Sequence, residues 1–310
     1  MRLVISLGGN ALLRRGEAVT SAHQEENAER AATWLAPVTK ANETVLAHGN
    51  GPQLGLLALQ SFSYNESEPT KLDMLGAQAA GMIGYLLERE LRNRQPGDRL
   101  LTTVLTEAMV DPADPAFATP TKPVGPFYEK IRAHQLRQRH GWDFAEFDAG
   151  CRRIAAVPKP IAIPQVASID TLLQRSSTVV AAGPVPVIAL PSGAVRGAEA
   201  LPDKDEFAAL LARELKADAL VLLTDVLSVA LNYGKGDQQP IKRATPAMLR
   251  TIEFDAATMQ PKIEAASSFV NATGKWAAIG ALSDVQRIIN AEAGTRIVAS
   301  MPDKMEFWSH

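Results

Sequence analysis

The chain carries one cysteine, Cys151, in 310 residues. A single thiol excludes an intrachain disulfide and any multi-cysteine zinc or iron–sulfur centre. Aromatic residues make up only 5 %, and neither charge sign dominates, with a formal net charge of −2. Nothing in that balance draws the surface to nucleic acid or anionic lipid. No run approaches the roughly 18 apolar residues of a membrane span. Val179–Leu190, for instance, is interrupted by Gly183, Pro184 and Pro186. Met1–Leu7 is too short, and too soon broken by glycine, for a signal peptide. A cytoplasmic protein is expected.

Several chemical signatures are missing as well. The phosphate-loop pattern G-x-x-x-x-G-K-[ST] is absent, because Gly274-Lys275 is followed by Trp276. From Gly49 the chain reads G-N-G-P-Q-L-G, one residue out of step with the dinucleotide fingerprint G-x-G-x-x-G. There is no G-x-S-x-G elbow, and His23, His48, His134, His140 and His310 lack metal-ligand spacing. These gaps disfavour dehydrogenase and hydrolase readings, and no resident metal site is expected.

What is present is an alternation of apolar runs and amphipathic stretches. Leu3–Leu7, Glu43–Ala47, Leu101–Leu105, Thr178–Ala182, Pro186–Leu190, Ala219–Leu223 and Trp276–Ile279 read as strands. Glu25–Lys40, Asp73–Asn93, Asp205–Lys216, Ile263–Val270 and Ser283–Ala293 read as helices. That rhythm predicts a largely parallel sheet covered on both faces by helices. Asp111–Pro164, rich in proline, breaks the rhythm and is expected to leave the sheet as a lid-like excursion. Ala299–His310 reads as a tail.

Two strand candidates end in glycine: Leu7-Gly8-Gly9-Asn10 and His48-Gly49-Asn50-Gly51-Pro52. Glycine lets backbone N–H groups approach an anion, and strand ends are where parallel α/β sheets bind ligands. A turn alone explains either glycine pair; two at successive strand ends, each with an asparagine, favour a phosphate site. Lys122 lies between Thr121 and Pro123, Lys204 between Asp203 and Asp205, and Lys262 opens a helix after Pro261. Phosphoryl transfer needs several cations converging on the moving group. Asp203, Asp205 and Asp225 are candidates to orient those lysines or help hold Mg²⁺, with helix capping a sufficient explanation for the first two.

These motifs resemble, in order, those of the carbamate kinases. The match runs through Leu7–Leu13, His48–Gln53, Gly81–Tyr85, Asp114-Pro115, Pro120–Pro123, Asp203–Asp205, Thr224–Val226, Pro261–Ala266 and Gly294–Ile297. The resemblance implies the amino-acid-kinase fold, an α/β three-layer sandwich with a central, mainly parallel sheet and a small protruding subdomain. One domain over 1–298 is expected, with an N-terminal lobe at 1–217, the subdomain at 111–164, a nucleotide lobe at 218–298 and a tail at 299–310. The implied reaction is reversible phosphoryl transfer between Mg-ATP and carbamate, giving ADP and carbamoyl phosphate, in a homodimer of arginine or purine nitrogen catabolism. Lys122, Lys204, Lys262 and Asp205 would be catalytic. Gly8, Gly9, Asn10, Gly49, Asn50 and Gly51 would line the phosphate and carbamate site. Thr224, Asp225, Val226 and Tyr233 would face the nucleotide.

The chain departs from the family at several positions. Ala181-Ala182-Gly183-Pro184-Val185-Pro186-Val187 stands where glycines are usual, and is expected to form an altered site loop. Gln78-Ala79-Ala80, Ala230 and Gln260 replace other usual residues. Those changes keep a second reading open: a relative with a changed acceptor or lost catalysis that binds nucleotide or a partner.

Overall fold

The computed structural model describes residues 1–310 except 15, 96, 98, 99, 176, 177, 257, 303 and 310 and the side chains of 10 and 11. The first apolar run is strand β1 (Arg2–Leu7), followed by α1 (Gly9–Leu12), α2 (Ser21–Ala41), β2 (Glu43–His48), α3 (Gly51–Tyr64), α4 (Leu72–Arg94) and β3 (Leu101–Val110). A separate small unit holds β4 (Lys122–Tyr128), α5 (Lys130–His140), β5 (Asp143–Phe147) and β6 (Gly150–Ala155). The chain then returns through β7 (Pro160–Ala162), α6 (Val166–Gln174), β8 (Thr178–Ala189), β9 (Val195–Gly197), α7 (Lys204–Glu214) and β10 (Ala219–Thr224). It ends with β11 (Ala230–Leu231), β12 (Gln239–Ala244), α8 (Pro246–Leu249), α9 (Gln260–Thr273), β13 (Trp276–Ala281), α10 (Val285–Ile289), β14 (Thr295–Ile297) and β15 (Glu306–Phe307).

Six strands in the order β13-β10-β1-β2-β8-β3 run parallel, and mixed edge strands extend both sides. Alternate residues of each strand point to opposite faces, so two cores form. Val4, Val45, Val179 and Leu222 pack under α6, α7 and α9. Leu3, Ile5, Leu46 and Val221 pack under α2, α4 and α10. This is the expected three-layer α/β sandwich. The small unit is a three-stranded antiparallel sheet, β4-β6-β5, joined to α3 and α4 through Val124, Ala155, Leu54 and Leu75.

Three expectations change. Thr178–Ala182 and Pro186–Leu190, read as two runs around an altered loop at 181–187, are one buried strand, β8. Pro184 donates no ladder hydrogen bond, and the pairing with β3 shifts register between Leu105 and Glu107 to accommodate it. Gly183 is required there, since a Cβ would lie 2.4 Å from the Thr106 carbonyl oxygen. Helix Ser283–Ala293 shrinks to Val285–Ile289, and the chain beyond it turns sharply into β14. The tail returns to the sheet: β15 pairs with β12, and the Trp308 indole donates to the Gly294 carbonyl at 2.9 Å. His310 lies outside the described residues.

Candidate active site

β1, β2 and β10 end level with one another, Leu7 standing beside His48 on one side and Leu223 on the other. The two glycine loops and Thr224-Asp225 therefore leave the sheet along one edge, as the switch-point rule for parallel sheets anticipates. Gly8 stays on the sheet by donating its N–H to the Leu223 carbonyl at 3.0 Å. A Cβ on Gly49 would fall 2.8 Å from Cδ of Lys204 and 4.0 Å from the Gly9 nitrogen. An alanine at 49 would thus push the Lys204 stem aside. Asn50 donates from Nδ2 to the Gly76 carbonyl at 3.3 Å, and Gly51 begins α3. Asn10 lies in α1, but its side chain is outside the described part.

Helices α7 and α9 bring the lysines to this edge. Asp203 caps α7, its Oδ1 accepting from the N–H groups of Asp205 at 2.8 Å and Glu206 at 3.2 Å. That fixes the first turn, where Lys204 and Asp205 sit. The Asp205 carboxylate, 2 % exposed, receives Lys204 Nζ on Oδ1 at 2.5 Å and Lys262 Nζ on Oδ2 at 2.7 Å. Burial alone would raise the Asp205 pKa, but the two ammonium charges outweigh it and hold the carboxyl well below the usual range. Burial lowers the Lys204 pKa, partly offset by Asp205, whereas for Lys262 the Asp205 charge prevails and raises it. Asp203 and Asp205 are therefore committed to the helix cap and the lysines.

Lys122 reaches the same edge from the small sheet, as the first residue of β4. Its ammonium lies 3.5 Å from the Leu201 carbonyl and, among the described residues, contacts no carboxylate. Burial lowers its pKa; Asp203 and Asp205 oppose that at longer range, and Lys262 adds to it. The small sheet is pinned by Arg153 on β6. Its guanidinium meets Glu199 at 2.6 Å and lies 4.0 Å from the Trp142 ring centroid. Glu199 in turn accepts from the Leu72 N–H at the start of α4, at 2.9 Å.

Beyond the glycine loops opens a cleft of about 870 Å³. Thr224, Asp225, Val226 and Tyr233 line it together, with Ala230, Phe254 and Met259 as apolar wall. The four residues expected to face a nucleotide thus share one cavity, and Met259 in its wall caps the helix that carries Lys262.

The sequence pattern of the amino acid kinase family matches residues 1–279. Carbamate kinase of Rhizobium meliloti (strain 1021) is 45 % identical over 98 % of this chain and 95 % of the relative. The Haemophilus influenzae carbamate kinase is 43 % identical over 96 % of each. The chain belongs to the carbamate kinases of the amino acid kinase family. Carbamate kinase from Giardia lamblia bound to AMP-PNP superposes with a TM-score of 0.90 at 34 % identity, covering 96 % of this chain and 98 % of that one. UMP kinase from Bacillus anthracis shares the fold alone, with a TM-score of 0.56 at 14 % identity. Membership in this family makes the chain an ATP-dependent kinase.

Two features of the site had not been singled out in the sequence. Ser6, in the otherwise apolar run Leu3–Leu7, is fully buried and donates its hydroxyl to Asp205 Oδ1 at 2.8 Å. A lone hydroxyl two residues before a glycine turn was the available signal. Arg153 and Glu199 are far apart in sequence, and nothing local marks them as partners.

Proposed function

We propose that this site moves a phosphoryl group reversibly between ATP and carbamate, giving ADP and carbamoyl phosphate. The observation that carries the reading is the convergence of Lys204 and Lys262 on buried Asp205, between two glycine strand ends and beside the large cleft. A carbamate oxygen forms a bond to the γ-phosphorus as the bond to the β,γ-bridging oxygen breaks, and ADP leaves with that electron pair. Carbamate is already an anionic nucleophile, so no general base is needed. The chemistry is positioning and charge neutralisation. Lys122, Lys204 and Lys262 would neutralise the phosphoryl oxygens, and backbone N–H groups of Gly9, Asn10, Asn50 and Gly51 would hold the phosphate and carbamate. Gly8 and Gly49 spend theirs on the Leu223 and Leu7 carbonyls and shape the two loops. Thr224, Asp225, Val226 and Tyr233 would hold the nucleotide.

Mg²⁺ enters as part of the nucleotide substrate. Among the described residues no three acidic or histidine side chains gather to hold a metal, and Asp205 is occupied by two lysines. The ion would therefore take its ligands mainly from phosphates and water, as Mg²⁺ commonly does. A cytoplasmic homodimer working in the ATP-forming direction is part of the reading and rests on likeness to the family; among the described residues, no helix is long and apolar enough to cross a membrane.

A coupled assay with carbamoyl phosphate and Mg-ADP tests the proposal. ATP formation is expected, reduced about 10²–10³-fold by Lys204→Ala. No ATP above background would overturn it and favour the silent relative. No comparison favours that second reading.

A further inference from the structure

We propose that Ser6 is a positioning residue for phosphoryl transfer, acting through Asp205. The proposal rests on the kinase reading of the site and goes beyond its lysines and glycines. Ser6 lies in β1, between Ala47 of β2 and Leu222 of β10, with no exposed surface. Its side chain points towards α7, the face on which Val4 also packs. The hydroxyl donates to Asp205 Oδ1 at 2.8 Å and stands 3.4 Å from Lys204 Nζ.

Asp205 therefore has three partners of two kinds. Lys204 and Lys262 sit on long, flexible stems, and both are needed by the moving phosphoryl group. When they turn to phosphate oxygens, their hold on Asp205 weakens at the moment the carboxylate must still fix their places. Ser6 stands on a short stem from a central strand of the parallel sheet; its hydroxyl hydrogen goes to Asp205, and its oxygen faces only the Lys204 ammonium among the described partners. Its hydrogen bond keeps Oδ1 in place through the reaction, so the lysines return to one geometry. A hydrogen bond to a charged, buried acceptor is among the stronger ones, and losing it should be felt where the charge matters most.

The test compares Ser6→Ala, Ser6→Thr and Ser6→Cys in the full chain, with the parent assayed beside them using carbamoyl phosphate and Mg-ADP. Alanine suits a buried strand beside Ala47 and should fold. The expected result is a fall in kcat of about tenfold with KM for Mg-ADP changed less than about twofold, the size set by one hydrogen bond to a charged group. Thr, which keeps the hydroxyl, restores most of the rate. Cys, near-isosteric with a weaker donor, falls between Ala and Thr and covers the case where the Thr methyl does not fit. An active parent with an equally active Ser6→Ala variant overturns the proposal and leaves the kinase reading intact. So does a rate loss that Thr and Cys both fail to relieve.

A silent parent would overturn the kinase reading instead, and ¹³C NMR of the Asp205 carboxyl carbon then decides. A displaced signal in Ser6→Ala that returns in Ser6→Thr supports the positioning role. An unmoved signal ends it.

Discussion

Lys204 and Lys262 stand on helices of the large sheet and share a buried carboxylate, whereas Lys122 stands on the small sheet beside a carbonyl oxygen. The first pair belongs to a closed charge cluster, capped by Asp203 and braced by Ser6, on the layer that forms the larger core. Among the described residues Lys122 meets the Leu201 carbonyl but no carboxylate, and the Arg153–Glu199 pair fixes the sheet that carries it. Buried charges are tolerated when paired and costly when not. The large sheet thus holds a preformed cation pair, while the small sheet delivers a third cation that, on the proposed reaction, would find its counter-ion in the phosphoryl group.

Asp205→Asn should separate the two parts most sharply. It keeps the side-chain volume but strips two buried ammonium groups of their partner, so activity should fall by about 10³-fold or more. Breaking a buried pair from one side typically destabilises by about 3–5 kcal/mol, and a thermal or denaturant melt would read that loss. Lys122→Ala should cost about 10²–10³-fold in rate while leaving the melting temperature unchanged or higher, because burial disfavours its charge. Equal destabilisation by the two variants would break the comparison.

Arg153→Ala probes how Lys122 is held. Releasing the small sheet from Glu199 and Leu72 should lower kcat by about 10- to 10²-fold through misplacement of Lys122. KM for Mg-ADP should stay within about twofold, since the cleft proposed for the nucleotide is lined by residues 224–259 and none from the small sheet. Limited proteolysis around residues 112–121 should quicken. A variant with raised KM and unchanged kcat would mean that Arg153 serves the cleft instead.

The legible parts of this protein were those whose signal is local. Leu3–Leu7 and His48–Gly51 announce a buried strand and a glycine turn within a few residues, and the alternating runs announce the parallel sheet. The lysines were visible as unusual settings, but their meeting at Asp205 depends on β1, α7 and α9 converging from positions 6, 205 and 262. The continuity of β8 was hidden because Pro184 and Pro186 look like breakers, and the compensating register shift lies on β3. The small sheet was hidden for a similar reason: β4 includes Pro123 and Pro126 and is paired on one side only. The C-terminal tail carries a pairing strand of two residues, too short to show any period.

Acid sensitivity distinguishes the two parts most gently, without touching the chemistry at neutral pH. His48 ends β2 with no exposed surface, its Nδ1 3.3 Å from the Gly49 carbonyl oxygen. Burial lowers its pKa to about 4, against a slight opposing effect of that hydrogen bond. The unfolded chain, with histidine near 6.5, binds a proton more readily than the folded one between these values. Stability must therefore fall as pH drops from about 6.5 towards 4, by about 2 kcal/mol between pH 7 and pH 5. His140, in the small unit, is lowered by burial too and contributes with the same sign. Denaturant melts of the parent, His48→Gln and His140→Gln at pH 7 and pH 5 would apportion the loss. The large sheet should carry most of it, so His48→Gln should flatten the pH dependence far more than His140→Gln. The reverse order would place the acid-labile part in the small sheet and overturn the assignment of the loss to the buried His48 at the end of β2.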